Sequence, residues 1–526
     1  MTGNKISRRE FLKQNISAGA ALSMALSSCH FQTARQSTPK PRSKPNILFI
    51  SVDDLNNWIE PLGGHRQAKT PNLLKFSKQA VNFTHAYCAS PSCNPSRTAL
   101  MTGKHPYVTG LYTNPQIWRH VLPNEVTLGE YFKQAGYWVG GAGKIFHNNM
   151  PDPRSWHDYY PSKIKHMPEY YLPAYDPTSN SKYFTKTDNE IREDDPKGIT
   201  FNMPVFKEMY IAFDFKELPY NTEKTGDYSS VKWVCDQLKK KHEKPFFLAC
   251  GLYRPHLPWY VPEEFYKKFP LETVQLPEIY KDDLVDLPDT ARLIAARGGN
   301  YHKHVIKAGL WKKAVQGYLA AINYADHLVG QLLKSLEESG YADNTIVVIY
   351  SDHGWQLGEK QHWRKFALWQ NVINTVLMIK VPKGTAGLPL GSQNGTACHR
   401  NVSLVDIFPT LTELCGLKPK DGITGNSLTP LLGDPSVEWD YPVITSLGDI
   451  HYSIIKDHWH YINYNGTEEE LYNLKEDPEE WHNLAADASH ENIKQQLKKI
   501  IPQNRHEFVK TAPIKWADVL SGKIKF

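Results

Sequence analysis

Four runs of apolar residues along the chain end in polar side chains that can carry chemistry. They are "KPNILFISVDDL" (44–55), "GYWVGGAGKIFH" (136–147), "KPFFLACGLYRPHLPW" (244–259) and "NTIVVIYSDHG" (344–354). Continuous apolar runs of this kind are typical of strands buried on both faces of a parallel sheet. Between the last two runs, residues 314–339 repeat their apolar positions at helical spacing. We therefore predict an α/β fold with a large, mostly parallel central sheet sandwiched by helices.

Two regions depart from this alternation. Residues from about 151 to 225 are rich in Tyr, Pro, Asp and Lys and have weak periodicity, which predicts a long insertion. From about residue 438, short strand-like runs precede an amphipathic pattern near 488–510. We predict a main domain over 45–437 and a smaller C-terminal α+β domain over 438–526 with a short antiparallel sheet.

The N-terminus resembles a bacterial export signal. Arg8 and Arg9 precede an apolar run over 16–26, and "LSSC" ends at Cys29. The run is shorter than the roughly 20 apolar residues that cross a bilayer, so we predict a twin-arginine signal over 1–29 and a linker over 30–44. "LSSC" resembles a lipobox, although a chance cysteine in an ordinary signal is the alternative. The expected location is periplasmic or cell-surface, with the twin-arginine export machinery as a partner and membrane contact only through a lipid anchor on Cys29.

Composition narrows the function classes. Hydrophobic content of 40% and charged content of 22% over 526 residues are those of a globular protein. The net charge is only +6 and no Lys/Arg block is present, so we expect no nucleic-acid partner. None of the cysteines has the CxxC spacing of a zinc ribbon.

Acidic residues at two strand ends predict a cation site. Asp53 and Asp54 end the first run, and Asp352 and His353 end the last. Adjacent carboxylates repel each other unless a cation lies between them, and oxygen ligands suit a hard ion such as Ca²⁺. One Asp–Asp pair alone is explained as well by a turn or a helix cap, but two strand ends together weaken that explanation.

Cationic and imidazole groups complete a pocket for an anion. Cys93 lies just ahead of a predicted helix start whose run includes Arg97, and other strand ends supply Lys144, His147 and His256. Such a pocket suits a tetrahedral oxyanion ester, either a phosphate or a sulfate. Only three residues separate Cys93 from Arg97, which excludes cysteine-phosphatase chemistry because that needs five.

At this point the motifs resemble a known family. "CNPSRTALMTG" (93–103) resembles the signature of the formylglycine-dependent sulfatases (type I), members of the alkaline phosphatase-like superfamily. "YRPHLPW", "SDHGWQLGE", "SLVDIFPTL" (403–411) and "GNSLTPLL" (425–432) follow in the expected order. "GKIFH" and "SDHGWQLGEKQHWRKFA" are most similar to the iduronate-2-sulfatase-like branch. Many other sulfatases have Lys-x-His and Asp-Asn, where this chain has Lys-x-x-His and Asp352-His353.

The resemblance implies a mechanism residue by residue. A formylglycine-generating (sulfatase-maturating) enzyme would oxidise Cys93 to formylglycine, and one hydroxyl of the hydrated aldehyde would attack sulfur. Arg97 and Lys144 would orient this group, and His147 would take a proton from the second hydroxyl to expel sulfate. His256 and Lys365 would hold the sulfate, with His256 as the proton donor to the leaving oxygen. The resemblance implies one Ca²⁺ bound by Asp53, Asp54, Cys93 as formylglycine, Asp352 and His353.

Three further residues are weaker substrate candidates. His105 follows the cysteine helix, and Trp363 and Arg364 flank Lys365; structural roles explain each of them about as well. The Tyr-rich stretch over 170–184 is a candidate substrate wall, for which a plain surface insertion is the alternative.

We expect an exported sulfatase that acts at chain ends of sulfated polysaccharide fragments, either algal, such as ulvan, or glycosaminoglycan. The alternatives are a phosphonate monoester hydrolase or phosphodiesterase of the same superfamily, and a non-catalytic sulfated-glycan-binding protein.

Overall fold

The computed structural model describes residues 44–147, 152–160, 213–219 and 221–511. The predicted export signal with Cys29, the linker up to residue 43, and most of the predicted insertion, including residues 170–184, lie outside this range. Among the described residues, no helix is both long and apolar enough to cross a bilayer.

The described residues form strands and helices in alternation. The strands are β1 (Asn46–Val52), β2 (Val81–Phe83), β3 (Ala86–Tyr87), β4 (Trp138–Gly143), β5 (Asp158–Tyr160), β6 (Phe215–Leu218), β7 (Phe246–Leu252), β8 (Trp259–Pro262), β9 (Thr345–Ser351), β10 (Gln356–Leu357), β11 (Trp363–Arg364), β12 (Asn374–Thr375), β13 (Leu377–Lys380), β14 (Thr396–Cys398), β15 (Val402–Ser403), β16 (Val443–Leu447), β17 (His451–Lys456), β18 (Trp459–Tyr464) and β19 (Glu468–Asn473). The α-helices are α1 (Pro71–Ser77), α2 (Cys93–Thr102), α3 (Pro106–Thr109), α4 (Trp118–Val121), α5 (Leu128–Gln134), α6 (Gly226–Leu238), α7 (Glu263–Tyr266), α8 (Asp289–Ala295), α9 (Arg297–Lys307), α10 (Trp311–Glu337), α11 (Gln370–Ile373), α12 (Ile407–Leu414), α13 (Thr429–Gly433) and α14 (Glu491–Lys498). Short 3₁₀ turns lie at Thr222–Lys224, Leu271–Thr273, Ala342–Asn344, Glu359–Gln361, Leu404–Asp406 and Ala488–His490.

The central sheet is mostly parallel, as predicted. Its strand order is β14–β2–β13–β9–β1–β7–β4–β5. Strands β9, β1, β7, β4 and β5 run parallel to one another, and only β13 runs against its two neighbours. All four apolar runs supply a strand of this sheet, so their carboxyl ends meet at one edge.

Both faces of the sheet are buried, which explains why its strands have continuous apolar sequences. Along β1, Ile47 and Phe49 face one apolar cluster, and Leu48, Ile50 and Val52 face the other. The second cluster includes the buried face of α10, a helix of 27 residues. The bounds of α10 agree closely with the predicted helix over 314–339.

A second sheet forms from the C-terminal part of the chain. Strands β16–β17–β18–β19 are antiparallel neighbours, and Leu497 of α14 packs against Ile454 and Tyr461. This confirms the predicted C-terminal antiparallel sheet, whereas the boundary at 437/438 stays a prediction. The predicted helix over 488–510 is much shorter, because α14 ends at Lys498, shortly before Pro502.

Candidate active site

The register of the central strands brings the predicted acids together. Val52 pairs with Leu252 on one side and with Ser351 on the other. Asp53 and Asp54 therefore leave the sheet beside Asp352 and His353. All four side chains are fully buried.

Two glycines allow β4 and β7 to end in close contact. Gly143 pairs with Gly251 and has φ +74°, and the amide of Lys144 donates to the Gly251 carbonyl at 2.9 Å. A Cβ at position 251 would lie 2.1 Å from the Lys144 carbonyl oxygen. The absence of side chains at both positions lets Lys144 enter the cluster, where its Nζ donates to Asp53.

Cys93 begins α2 inside this cluster. Its Sγ lies 2.7 Å from Lys365 Nζ, 3.4 Å from His353 Nε2 and 3.9 Å from Lys144 Nζ. Burial raises the pKa of the Cys93 thiol well above its ordinary value, although Lys144 and Lys365 oppose the shift. A thiol with a raised pKa stays protonated at neutral pH, so this geometry does not prepare Cys93 to act as a thiolate.

Arg97, one turn along α2, ties the strand ends together. Its side chain is fully buried. It donates to Asp352 (2.8 Å), Asp53 (2.9 Å), Ser51 (3.0 Å) and the carbonyls of Lys144 (2.6 Å) and Ile145 (3.0 Å). Burial alone would raise the pKa of Asp53, but Lys144 and Arg97 outweigh it and hold the pKa well below its usual range.

His353 and the aspartates place acceptor atoms against one another. His353 Nδ1 lies 3.0 Å from the Gly354 carbonyl, and because a carbonyl only accepts, Nδ1 carries the proton. Burial lowers the pKa of His353, which leaves the ring neutral with a lone pair on Nε2. The Nε2 atom lies 3.4 Å from Asp54 Oδ1 and 3.6 Å from Asp352 Oδ2.

These acceptors fit a divalent cation. Asp54 Oδ2 is buried and has no hydrogen-bond partner among the described residues. Ligand atoms of Asp54, Cys93, Asp352 and His353 lie within 4.8 Å of one another, as do those of Asp53, Asp54, Cys93 and His256. Burial and the charge of Asp53 raise the pKa of Asp54 despite Lys365. The positive charge beside Asp54 therefore does not fully compensate for the burial of its carboxylate. A hard cation with oxygen ligands would satisfy it.

Lys365 reaches the cluster from a strained loop. Its Nζ lies 2.7 Å from both Asp54 Oδ1 and Cys93 Sγ. Positive φ angles occur at Lys360 (47°), Gln361 (50°), Arg364 (79°) and Phe366 (73°). Non-glycine residues in this region cost about 1–3 kcal/mol each and concentrate at functional sites.

His256 and His147 lie beside the cations. His256 Nε2 lies 3.9 Å from Asp54 Oδ2, and its Nδ1 donates to the Leu257 carbonyl at 2.6 Å. Burial, Lys365 and Lys144 lower the pKa of His256 well below its usual value, and burial and Lys144 do the same for His147. Both rings are therefore neutral, and His256 presents an unprotonated Nε2 to the cluster. Its role as proton donor stays a prediction.

The weaker candidates have different positions. Trp363 and Arg364 flank Lys365; Trp363 Nε1 donates to His302 (3.1 Å) and Arg364 donates to the Tyr301 hydroxyl (3.1 Å). His105 bonds Thr424 at 2.7 Å beyond the opposite end of α2, which places it roughly 15 Å along the helix axis from Cys93. The structure does not bring His105 into the cluster.

Two supporting residues were not predicted. Ser51 bonds Arg97, and Asp227 accepts the amides of Tyr253 and Arg254 at 2.7 and 3.0 Å, which fixes the start of the His256 loop. A lone serine inside the apolar run of β1 is a signal that points to Ser51. No local signal marks Asp227, which lies on α6.

The chain matches the family model "Sulfatase" over residues 45–417, and residues 358–507 match "N-sulphoglucosamine sulphohydrolase, C-terminal". A "Sulfatase" of Formosa agariphila is 33% identical over 92% of this chain and 91% of its own length. "Iduronate 2-sulfatase" of Mus musculus is 30% identical over 71% of this chain and 69% of its own length. Among solved structures, a phosphonate monoester hydrolase of Agrobacterium radiobacter has the same fold, with a TM-score of 0.66 at 20% identity over 86% of this chain and 94% of its own.

Proposed function

Since this chain belongs to the sulfatase family and is a sulfuric ester hydrolase, we propose that it removes sulfate from chain ends of a sulfated, uronate-containing glycan. The glycan is a glycosaminoglycan or an algal polymer such as ulvan. The observation that supports a sulfate site most directly is the convergence of Lys144, Lys365 and the acceptor cluster on Cys93. The similarity to an iduronate sulfatase supports the uronate.

The formal charges of the site suit an anionic substrate. Asp53, Asp54 and Asp352 balance Arg97, Lys144 and Lys365, and the neighbouring histidines are neutral. Because these side-chain charges cancel, a bound divalent cation would give the site a net charge of about +2. A sulfate monoester carries the opposite charge into that excess, and the buried surroundings strengthen the attraction.

Sulfatases use a formylglycine and a divalent metal, and we extend this to Cys93 and one Ca²⁺. A hydrated formylglycine at position 93 would supply a hydroxyl nucleophile and a second hydroxyl for elimination of sulfate, and a bound Ca²⁺ would offset negative charge on the sulfate oxygens. Asp53, Asp54, Asp352 and His353 would hold the ion.

The remaining residues would position the reacting groups and transfer protons. Arg97 and Lys144 fix the side chain at position 93. Burial lowers the pKa of Lys144, but Asp53 and the other acidic groups beside it together raise the pKa above its ordinary value, which keeps Lys144 charged. Lys365, whose pKa Asp54 likewise raises against the effect of burial, holds a sulfate oxygen. His147 is neutral and would take the proton of the second hydroxyl of the hydrated formylglycine as sulfate is expelled and the aldehyde re-forms.

We also propose export and maturation of the chain. Arg8, Arg9 and Cys29 support transport by the twin-arginine machinery and a lipid anchor in the periplasm or at the cell surface. The maturation proposal requires a formylglycine-generating enzyme as a partner in the host.

A sulfate-release assay tests the activity. We expect the protein from its native host to release sulfate from a uronate 2-sulfate at a chain end and from an aryl sulfate, and to turn over phosphodiesters much more slowly. The fold alone does not decide this, because a phosphonate monoester hydrolase shares it. Dominant phosphodiester turnover would establish the alternative enzyme.

Substitution at position 93 separates catalysis from binding. Cys93→Ala should bring sulfate release below detection and leave affinity for the sulfated glycan within a few-fold, because the cations remain. Lys75→Ala, at an exposed ion pair with Glu337, is the control and should retain full activity. Full activity of Cys93→Ala contradicts the mechanism. An unconverted thiol in peptide mass spectra, together with tight glycan binding, favours a binding protein.

A further inference from the structure

Three cationic groups surround the ring of Phe366. The guanidinium of Arg297 lies 4.4 Å from the ring centroid, that of Arg364 5.7 Å, and Lys365 Nζ 6.0 Å. Lys365 Nζ is also in contact with Cys93 Sγ at 2.7 Å. Phe366 therefore links the site of bond cleavage directly to two arginines.

Helix α9 is held against the Lys365 loop by side chains of that loop. Trp363 Nε1 donates to His302 at 3.1 Å, and Arg364 donates to the Tyr301 hydroxyl at 3.1 Å. His362 Nδ1 lies 3.3 Å from the carbonyl of Ala295, two residues before Arg297. These contacts fix Arg297, the first residue of α9, relative to Lys365.

Arg297 differs from Lys365 in its charge partners. Asp54 pairs with Lys365 at 2.7 Å. Arg297 is exposed and makes no ion pair with a carboxylate among the described residues. Burial of part of the group and the charge of Arg364 lower its pKa, as expected for like charges in proximity. Its fork of donors is therefore open to an anion from solution.

We propose that Arg297, together with Arg364, forms a second anion subsite that binds the carboxylate of the sugar whose sulfate is removed. A uronate 2-sulfate carries both anions on one ring, and the contacts through Phe366 place the two subsites side by side. This inference rests on the proposed function and names the feature of the substrate that the site recognises. A planar carboxylate fits a guanidinium in a bidentate arrangement, which a lysine cannot reproduce.

The test compares Arg297→Gln with Arg297→Lys on three substrates. These are a uronate 2-sulfate oligosaccharide, the same oligosaccharide with its carboxyl group reduced to an alcohol, and an aryl sulfate. We expect Arg297→Gln to lower kcat/KM for the uronate at least tenfold more than for the reduced analogue, mostly through KM. Arg297→Lys should recover only part of the loss. In the Cys93→Ala background, calorimetry should show the same ordering of affinities without turnover.

The control is Arg292→Gln, which removes an exposed arginine of α8 that pairs with Asp289 and should leave the substrate preference unchanged. An equal effect of Arg297→Gln on all three substrates overturns the inference, as does an unchanged preference for the uronate. The wild-type enzyme could instead prefer a disulfated neutral sugar and lose that preference in Arg297→Gln. That result would mean that the subsite binds a second sulfate and not a carboxylate, and it also overturns the inference. Failure of wild-type enzyme to cleave even the aryl sulfate counts instead against the proposed function.

Discussion

Arg97 lies at the base of the cluster, where one guanidinium joins carboxylates from two strands. It contacts Asp53 at 2.9 Å and Asp352 at 2.8 Å, and all three side chains have no exposed surface. Buried charges of this kind are costly to leave unpaired. The Arg97 guanidinium therefore contributes to the stability of the folded state as well as to the proposed chemistry.

We predict that Arg97→Ala lowers the free energy of unfolding by about 3–5 kcal/mol, because Asp352 loses its charged partner inside the protein. Urea denaturation of the purified variant measures this. Lys75→Ala, which breaks a pair exposed at 65% and 48%, should cost less than about 1 kcal/mol. A similar small loss for Arg97→Ala would show that the buried carboxylates do not depend on it.

Some site residues could be predicted from the sequence and others could not. Asp53, Asp54, Asp352 and His353 stand out because polar residues end otherwise apolar strands. Only the resemblance of its motif points to Lys365, because its contact with Cys93 depends on a loop with positive φ at Lys360 and Gln361. Nothing in the sequence near Arg297 marks it as a site residue, because the packing of α9 against that loop, and not local spacing, brings Arg297 to Phe366.

Among the elements, the ends of β4 and β7 carry the sharpest steric requirement. Gly251 faces the backbone of Lys144, and a Cβ there would lie 2.1 Å from the carbonyl oxygen and 2.6 Å from the amide nitrogen. Backbone atoms cannot move aside as a flexible side chain can. The strand pattern predicted both strands, but it did not show that the two ends touch.

We predict that Gly251→Ala displaces Lys144 from Asp53 and reduces sulfate release at least a hundredfold, with a loss of about 1–3 kcal/mol in stability from overpacking. Gly340→Ala is the matched control, since a Cβ there meets nothing within 4 Å and φ is not positive. It should be neutral in both assays. Normal activity of Gly251→Ala would mean that the ends of β4 and β7 separate without cost.

On the scale of the whole molecule, the C-terminal sheet is joined to the active-site loop by buried polar groups. Lys360 Nζ bonds Asp283 at 2.6 Å and the carbonyl of Glu480. The Glu480 carboxylate in turn accepts from the amide of Gln370 at 2.8 Å and from His460 of β18. Lys360 is five residues from Lys365, so the sheet restrains the loop that holds Lys365, the lysine that we propose binds sulfate.

We therefore predict that Lys360→Met weakens the enzyme at a distance from the cluster. It should lower stability by about 3–5 kcal/mol, because Asp283 is left buried without its partner, and should raise KM more than it lowers kcat, because Lys365 becomes less well positioned. Adding Asp283→Asn should restore part of the stability but not the KM, since the loop remains released from Glu480. Thermodynamic coupling between the two substitutions of about 0.5–3 kcal/mol would demonstrate the pair. Independent, additive effects would instead mean that Lys360 and Asp283 do not stabilise each other, and an unchanged KM in Lys360→Met would mean that the link through Glu480 to the C-terminal sheet does not position Lys365.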